Sequence, residues 1–178
     1  MKKSEVHHDA FSILLHWSAA LFMLCASLSI FFLYAVFSDG TSGSIQTFHI
    51  LTGTFALVLV LVIVWLGWRA RQAELPKLAT ISIGEARFME ITNGVLNGLL
   101  LLVPVTGILY LFALGQSIDL GLFKLGYAFS MSQQNLYLLE LTHNILGKMQ
   151  LAVVLLHSIL ALWHQFWKRD SLVSRMLP

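Results

Sequence analysis

The sequence predicts an all-α integral membrane protein, a four-helix bundle with both termini in the cytoplasm. Three observations lead there. Of 178 residues, 57% are hydrophobic and only 11% are charged, with a mean hydropathy of +0.78, whereas an average soluble domain is about 25% charged. Four apolar windows follow one another: Ala10 to Ser38, Gly40 to Trp68, Ile91 to Ile118, and Met149 to Trp167, the last extended upstream through Leu136 to Gln150. Each approaches or exceeds the roughly 20 residues that cross a hydrocarbon core. The cations are lopsided. Lys2 and Lys3 precede the first window, Arg69, Arg71, Lys77 and Arg87 lie between the second and third, and Lys168, Arg169 and Arg175 follow the fourth. Only Lys124 and Lys148 fall on the far side or just inside the fourth, so the positive-inside rule places both ends and the middle link in the cytoplasm.

Taken in order, the spans run roughly over 11–37, 46–68, 90–115 and 138–167, within a single domain over residues 1–178. The first starts close to the N-terminus and is followed by no small-residue cleavage site, which predicts a retained helix and not a signal peptide. It holds Cys25, the only cysteine, which excludes an intrachain disulfide and a C-x-x-C-H site for covalent haem. The cytoplasmic link "RARQAELPKLATISIGEAR" is broken by Pro76. On the outer side, "DLGLFKLGYAFSMSQQNLYL" carries Phe123, Tyr127, Phe129 and Tyr137 and predicts a short interfacial helix. Trp17, Trp65, Trp68, Trp163 and Trp167 read as a membrane-interface belt. A net charge of +2 is too small to point to nucleic acid.

Seven histidines are present. His7 and His8 sit in the charged tail and are expected to face water. The others lie within apolar spans, where an ionisable side chain has no hydrogen-bond partner in lipid and is a functional candidate by default. His16 is near the cytoplasmic start of span one, His49 near the outer start of span two, and His143 near the outer end of span four. Fourteen residues separate His143 from His157, which puts both on one helix face about 21 Å apart at about 1.5 Å per residue. His49 lies at the level of His143, and His16 toward that of His157, so two transverse pairs result. One turn after each histidine comes a small residue: Ala20, Gly53, Gly147 and Ala161. Side chains at i and i+4 stack on one helix face, so these positions leave room for a wide flat ligand. His164 is followed at i+4 by Lys168, which argues against it as a ligand; depth alone does not separate it from His157.

A flat object held by one imidazole on each side is a haem with bis-histidine ligation. Zinc or copper would want three or four converging ligands, often with carboxylate or thiolate. The competing structural explanation is that membrane histidines bond across helices and small residues let helices pack; it suits any one of them better than four arranged in two levels.

The chain resembles the bacterial cytochrome b561 proteins over nearly its whole length. The resemblance rests on "ILLHW" with His16, "FHILTG" with His49, "LVPVTG" in span three, "THNILG" with His143, "LLHSILALWHQFW" with His157, and the terminal "KRDSLVSRMLP". It implies a multi-pass protein of the bacterial inner membrane with two non-covalent b haems. Their irons would be held by His16 with His157 on the inner side and by His49 with His143 on the outer side. It also implies an electron-transfer cytochrome or oxidoreductase linking an outer donor to membrane ubiquinone, superoxide being the donor in at least some members. Asn93 and Ile63 stand where relatives often carry histidine and arginine. Arg69, Lys148 and Lys124 are the nearest replacement cations. Two other readings compete: a cytochrome b anchor that passes electrons from a dehydrogenase or hydrogenase-like partner subunit to quinone, and a haem-free transporter or scaffold. Membrane lipid is the expected surrounding, with a homodimer or a redox subunit as possible company.

Overall fold

The computed structural model describes residues 10–36, 42–70, 82–121, 124–127, 129–169 and 173–176. His7, His8, Phe123 and the link around Pro76 lie outside these. Four long helices dominate: α1 (Ala10–Val36), α2 (Ser42–Ala70), α3 (Ile83–Ala113) and α4 (Gln133–Trp163). Each contains a stretch long and apolar enough to cross a membrane. Within hydrocarbon a segment must satisfy its own backbone groups, and a continuous helix does so.

The helix ends differ from the hydropathy limits, and local chemistry explains where. α3 begins at Ile83 and not near residue 90, because Ser82 and Glu85 form a capping box. The Glu85 N–H donates to Ser82 Oγ at 3.3 Å and the Ser82 N–H to Glu85 Oε2 at 3.2 Å, satisfying two N–H groups that a helix start leaves orphaned. Ser132 caps α4 with its side chain alone, accepting from the Asn135 N–H at 3.3 Å. α4 gives way to a π-helical turn, His164–Lys168, after which Arg169 takes a left-handed conformation with φ 53°. This turn stacks Trp163 on Trp167, ring centres 5.1 Å apart. Lys168 then pairs with Glu85, tying the end of α4 to the start of α3.

The outer connection corrects the expected interfacial helix. Ile118–Asp119 (β1) pairs antiparallel with Lys124–Leu125 (β2). Glycine is the reason. Gly115 and Gly121 take φ of +72° and +80°, left-handed values that stop helices and close turns. At Gly126 a Cβ would come within 2.7 Å of Ser117 Cβ, so the strands meet where only glycine fits. The Gly121 N–H donates to Asp119 Oδ1 at 2.9 Å, an Asx-type turn, and Lys124 Nζ lies 3.1 Å from Asp119 Oδ2.

Close backbone packing joins α1 to α2, α3 to α4, and α2 to α3. The pairs α1–α4 and α2–α4 are not among the tightly packed ones. Two helical hairpins therefore meet along α2 and α3. Small and hydroxylic residues, Ala19, Ala56, Ser29, Thr52 and Thr92, are buried within the bundle, as expected where lipid supplies no hydrophobic drive and helices associate by close packing. Most large apolar side chains, Leu21, Phe55, Val58 and Leu155 among them, point outward, which suits a surface solvated by acyl chains.

Candidate haem-ligand site

His49 of α2 and His143 of α4 face each other although their helices do not pack closely. Their ring centres are 6.2 Å apart, with planes at 81°. Two imidazoles on opposite sides of one metal should sit at a similar separation. A metal–imidazole bond of about 2.0–2.1 Å on each side, plus about 1.1 Å from each nitrogen to its ring centre, gives about 6.2–6.4 Å.

The tautomers follow from the hydrogen bonds. His49 Nδ1 lies 2.8 Å from the carbonyl oxygen of Ala26, and His143 Nδ1 lies 3.0 Å from that of Val103. A carbonyl only accepts, so each Nδ1 must carry the proton and donate. Each Nε2 is left with its lone pair on the far side of the ring, the state in which imidazole binds a metal. Each histidine is held by the other helix of its own hairpin: His49 by α1, His143 by α3.

Gly107 completes the seat of His143, a role that its place in "LVPVTG" does not reveal. A Cβ there would stand 2.8 Å from His143 Cε1 and 3.2 Å from Nδ1. Glycine is what lets the α3 backbone approach the ring. Pro104, one turn earlier, removes an N–H from the α3 ladder. Gly53 and Gly147, expected to give clearance, have no atom within 4 Å of an added Cβ. A second residue missed from sequence is Gln150. It is one heptad from both His143 and His157, on their shared face of α4, and is only 5% exposed. Heptad counting from either histidine would have found it.

At the inner level the arrangement is looser. His16 and His157 are half-buried, and among the described residues no ring contact joins them. His16 meets Trp17 edge to face at 5.4 Å. His164 is more buried than His157 and lies in the π turn that places Lys168 against Glu85. His157 is on α4 and His164 in the turn that continues it, with α1 and its His16 set apart from α4.

The outer cations are less available than the sequence suggested. Lys124 is bound to Asp119, whose carboxyl is held below its usual range first by the Gly121 N–H and then by Lys124. That pairing contributes above the ordinary carboxylate pKa and weakens only as pH falls through the lowered one. Lys148 is exposed and, five residues from His143, projects about 140° around α4 from it. Asn93 is exposed and Ile63 half-buried.

These residues fit a b-type haem. The ring centres of the two imidazoles stand at a separation that suits one iron between them, Gly53 and Gly147 leave space beside them, and the helices carrying them are not closely packed. Among the described residues no group of three or more His, Cys, Asp or Glu could hold a metal ion, so a metal between His49 and His143 would take its other ligands from a macrocycle. The buried amide of Gln150 adds a polar group between the two levels. Comparison with curated proteins gives no significant match. The family model described as prokaryotic cytochrome b561 matches residues 7–178. Nearly the whole chain is covered, and the protein belongs to the prokaryotic cytochrome b561 family.

Proposed function

We propose that the chain binds two b haems, one between His49 and His143 and one between His16 and His157, and moves electrons between an outer-face donor such as superoxide and ubiquinone in the bacterial inner membrane. Family membership supports the coarser statement, haem-based electron transfer across a membrane. The observation that carries the finer reading is the facing pair of imidazoles 6.2 Å apart, both pinned at Nδ1.

A haem held by His49 and His143, and a second held by His16 and His157, would supply one-electron chemistry suited to electron transfer. The rest is the work of the chain. His49 and His143 approach from opposite sides, and the Ala26 and Val103 carbonyls stop the rings from turning. Gly107 brings α3 against His143, and the absence of close α2–α4 packing would leave room for a flat group between their histidines. The apolar helices exclude water, which limits reorganisation around a change of charge. Superoxide gives up one electron and leaves as dioxygen; two electrons and two protons convert ubiquinone to ubiquinol.

Stopped-flow absorbance on reconstituted protein tests this reading, with superoxide as reductant and ubiquinone as oxidant. Lys124→Glu puts a second carboxylate beside Asp119 and should slow only reduction by superoxide. The expected effect is about twofold to threefold at low ionic strength, fading as salt shortens the screening length below about 8 Å. Lys148→Glu, on the far side of α4 from His143, should change it less. If superoxide leaves the protein oxidised while a co-purifying dehydrogenase subunit reduces it, the chain is a membrane anchor for that enzyme.

A further inference from the structure

Ser29 and Thr106 occupy the same place in the two hairpins. Ser29 Oγ donates to the Ala26 carbonyl at 2.7 Å and lies 3.3 Å from His49 Nδ1. Thr106 Oγ1 reaches the Val103 carbonyl at 2.8 Å and the Leu102 carbonyl at 2.9 Å, and lies 3.2 Å from His143 Nδ1. In both, the carbonyl three residues back is the one that accepts from the histidine. Each Nδ1–H is thus forked between a carbonyl and a hydroxyl on one helix turn. The hydroxyl proton is committed to backbone oxygen, so Oγ meets the imidazole only as an acceptor.

Back-bonding hydroxyls are ordinary in membrane helices, and Thr54, Thr92 and Thr142 show the ordinary form, each reaching the carbonyl four residues back on its own helix. Ser29 and Thr106 differ in also meeting a histidine on the neighbouring helix, and the same arrangement occurs at both members of one facing pair. Nothing in the local sequence, "ASLS" against "VPVT", advertises the repeat.

The geometry points to Ser29 and Thr106 as matched positioning residues that orient His49 and His143 and tune the reduction potential of the outer haem. The inference rests on the haem reading above. An acceptor at Nδ1–H pushes electron density toward Nε2 and makes it a better donor to the ferric iron, which lowers the potential. Removing half of each fork should therefore raise it.

The test is an optically monitored redox titration of purified full-length protein carrying Ser29→Ala, Thr106→Val, or both. Each single change should lower the ferric-to-ferrous ratio of the outer haem about threefold to tenfold at fixed ambient potential, a rise of about 28–59 mV for a one-electron couple. The inner haem should stay where it is. Thr106→Ser and Ser29→Thr, which keep the hydroxyl, should restore the wild-type value. Should Thr106→Val lose its outer haem, Thr106→Ser that retains it at the original potential still supports the role. An unchanged outer potential with both haems bound overturns the inference and leaves the haem reading intact, as does an equal shift at both haems. Wild-type protein that binds no haem overturns both.

Discussion

His49→Ala and His143→Ala should each remove the same haem, halving the haem bound per chain, because either axial ligand's loss vacates one shared site. His16→Ala and His157→Ala should remove the other. The outer half of this expectation has geometry behind it: the two rings face each other at 6.2 Å with planes at 81°, and both are locked in the tautomer that frees Nε2. The inner half rests on depth and spacing, since His157 falls two heptads from His143 on one helix face. His164→Ala serves as the control and should leave both haems in place. Extracted haem per chain, read beside the spectra of the four single variants, sorts them into two pairs. If His164→Ala emptied the inner site and His157→Ala did not, the inner pairing would shift by one helical step.

Gly107→Ala should weaken the outer haem more than any other one-methyl change in the protein. The new Cβ would stand 2.8 Å from His143 Cε1, closer than real contacts allow, and the ring cannot swing aside without giving up its bond to the Val103 carbonyl of the same helix. Either the imidazole rotates off axis or α3 moves away from α4. Overpacking of this kind costs about 1–3 kcal/mol, and at about 1.4 kcal/mol per decade of affinity that is about 5- to 150-fold in occupancy of the outer site. Gly147 supplies the contrast. Its surroundings are open to 4 Å, so Gly147→Ala should leave the fold undisturbed, and helix propensity even favours it by about 1 kcal/mol. Gly147→Leu should keep its helical circular dichroism and still lose outer haem, since the added bulk projects along the face that carries His143. Equal loss at both sites in Gly147→Leu would indicate general misfolding and no clearance role.

The contrast between these glycines shows where sequence reading reached and where it stopped. Transmembrane helices were legible because hydrocarbon imposes one simple demand, some twenty residues without charge. That His49 and His143 would lie at one level was legible because depth along a helix is a count. Element ends were less so: α3 gained a turn or more from the Ser82–Glu85 capping box, a local effect that hydropathy does not see. Aromatic content argued for an interfacial helix in the outer loop, but Gly115, Gly121 and the Asp119 turn outweighed it and made a β-hairpin. The seats of His49 and His143 were illegible for a different reason. Their acceptors are backbone carbonyls, which every residue type carries, so nothing about Ala26 or Val103 as amino acids marks them. Ser29 and Thr106 are two hydroxyls among many. Gly107 differs from Gly147 only in what lies across the helix interface, and that is a fact of tertiary packing.

The most direct measurement is the dithionite-reduced minus oxidised absorbance spectrum of the purified full-length protein, with haem extracted and counted per chain. Two b-type haems per chain, both removed by acid–organic extraction because no C-x-x-C-H binds them covalently, is the result expected here. A single haem would contradict the pairing of His16 with His157, and a spectrum without haem bands would contradict the account at its centre.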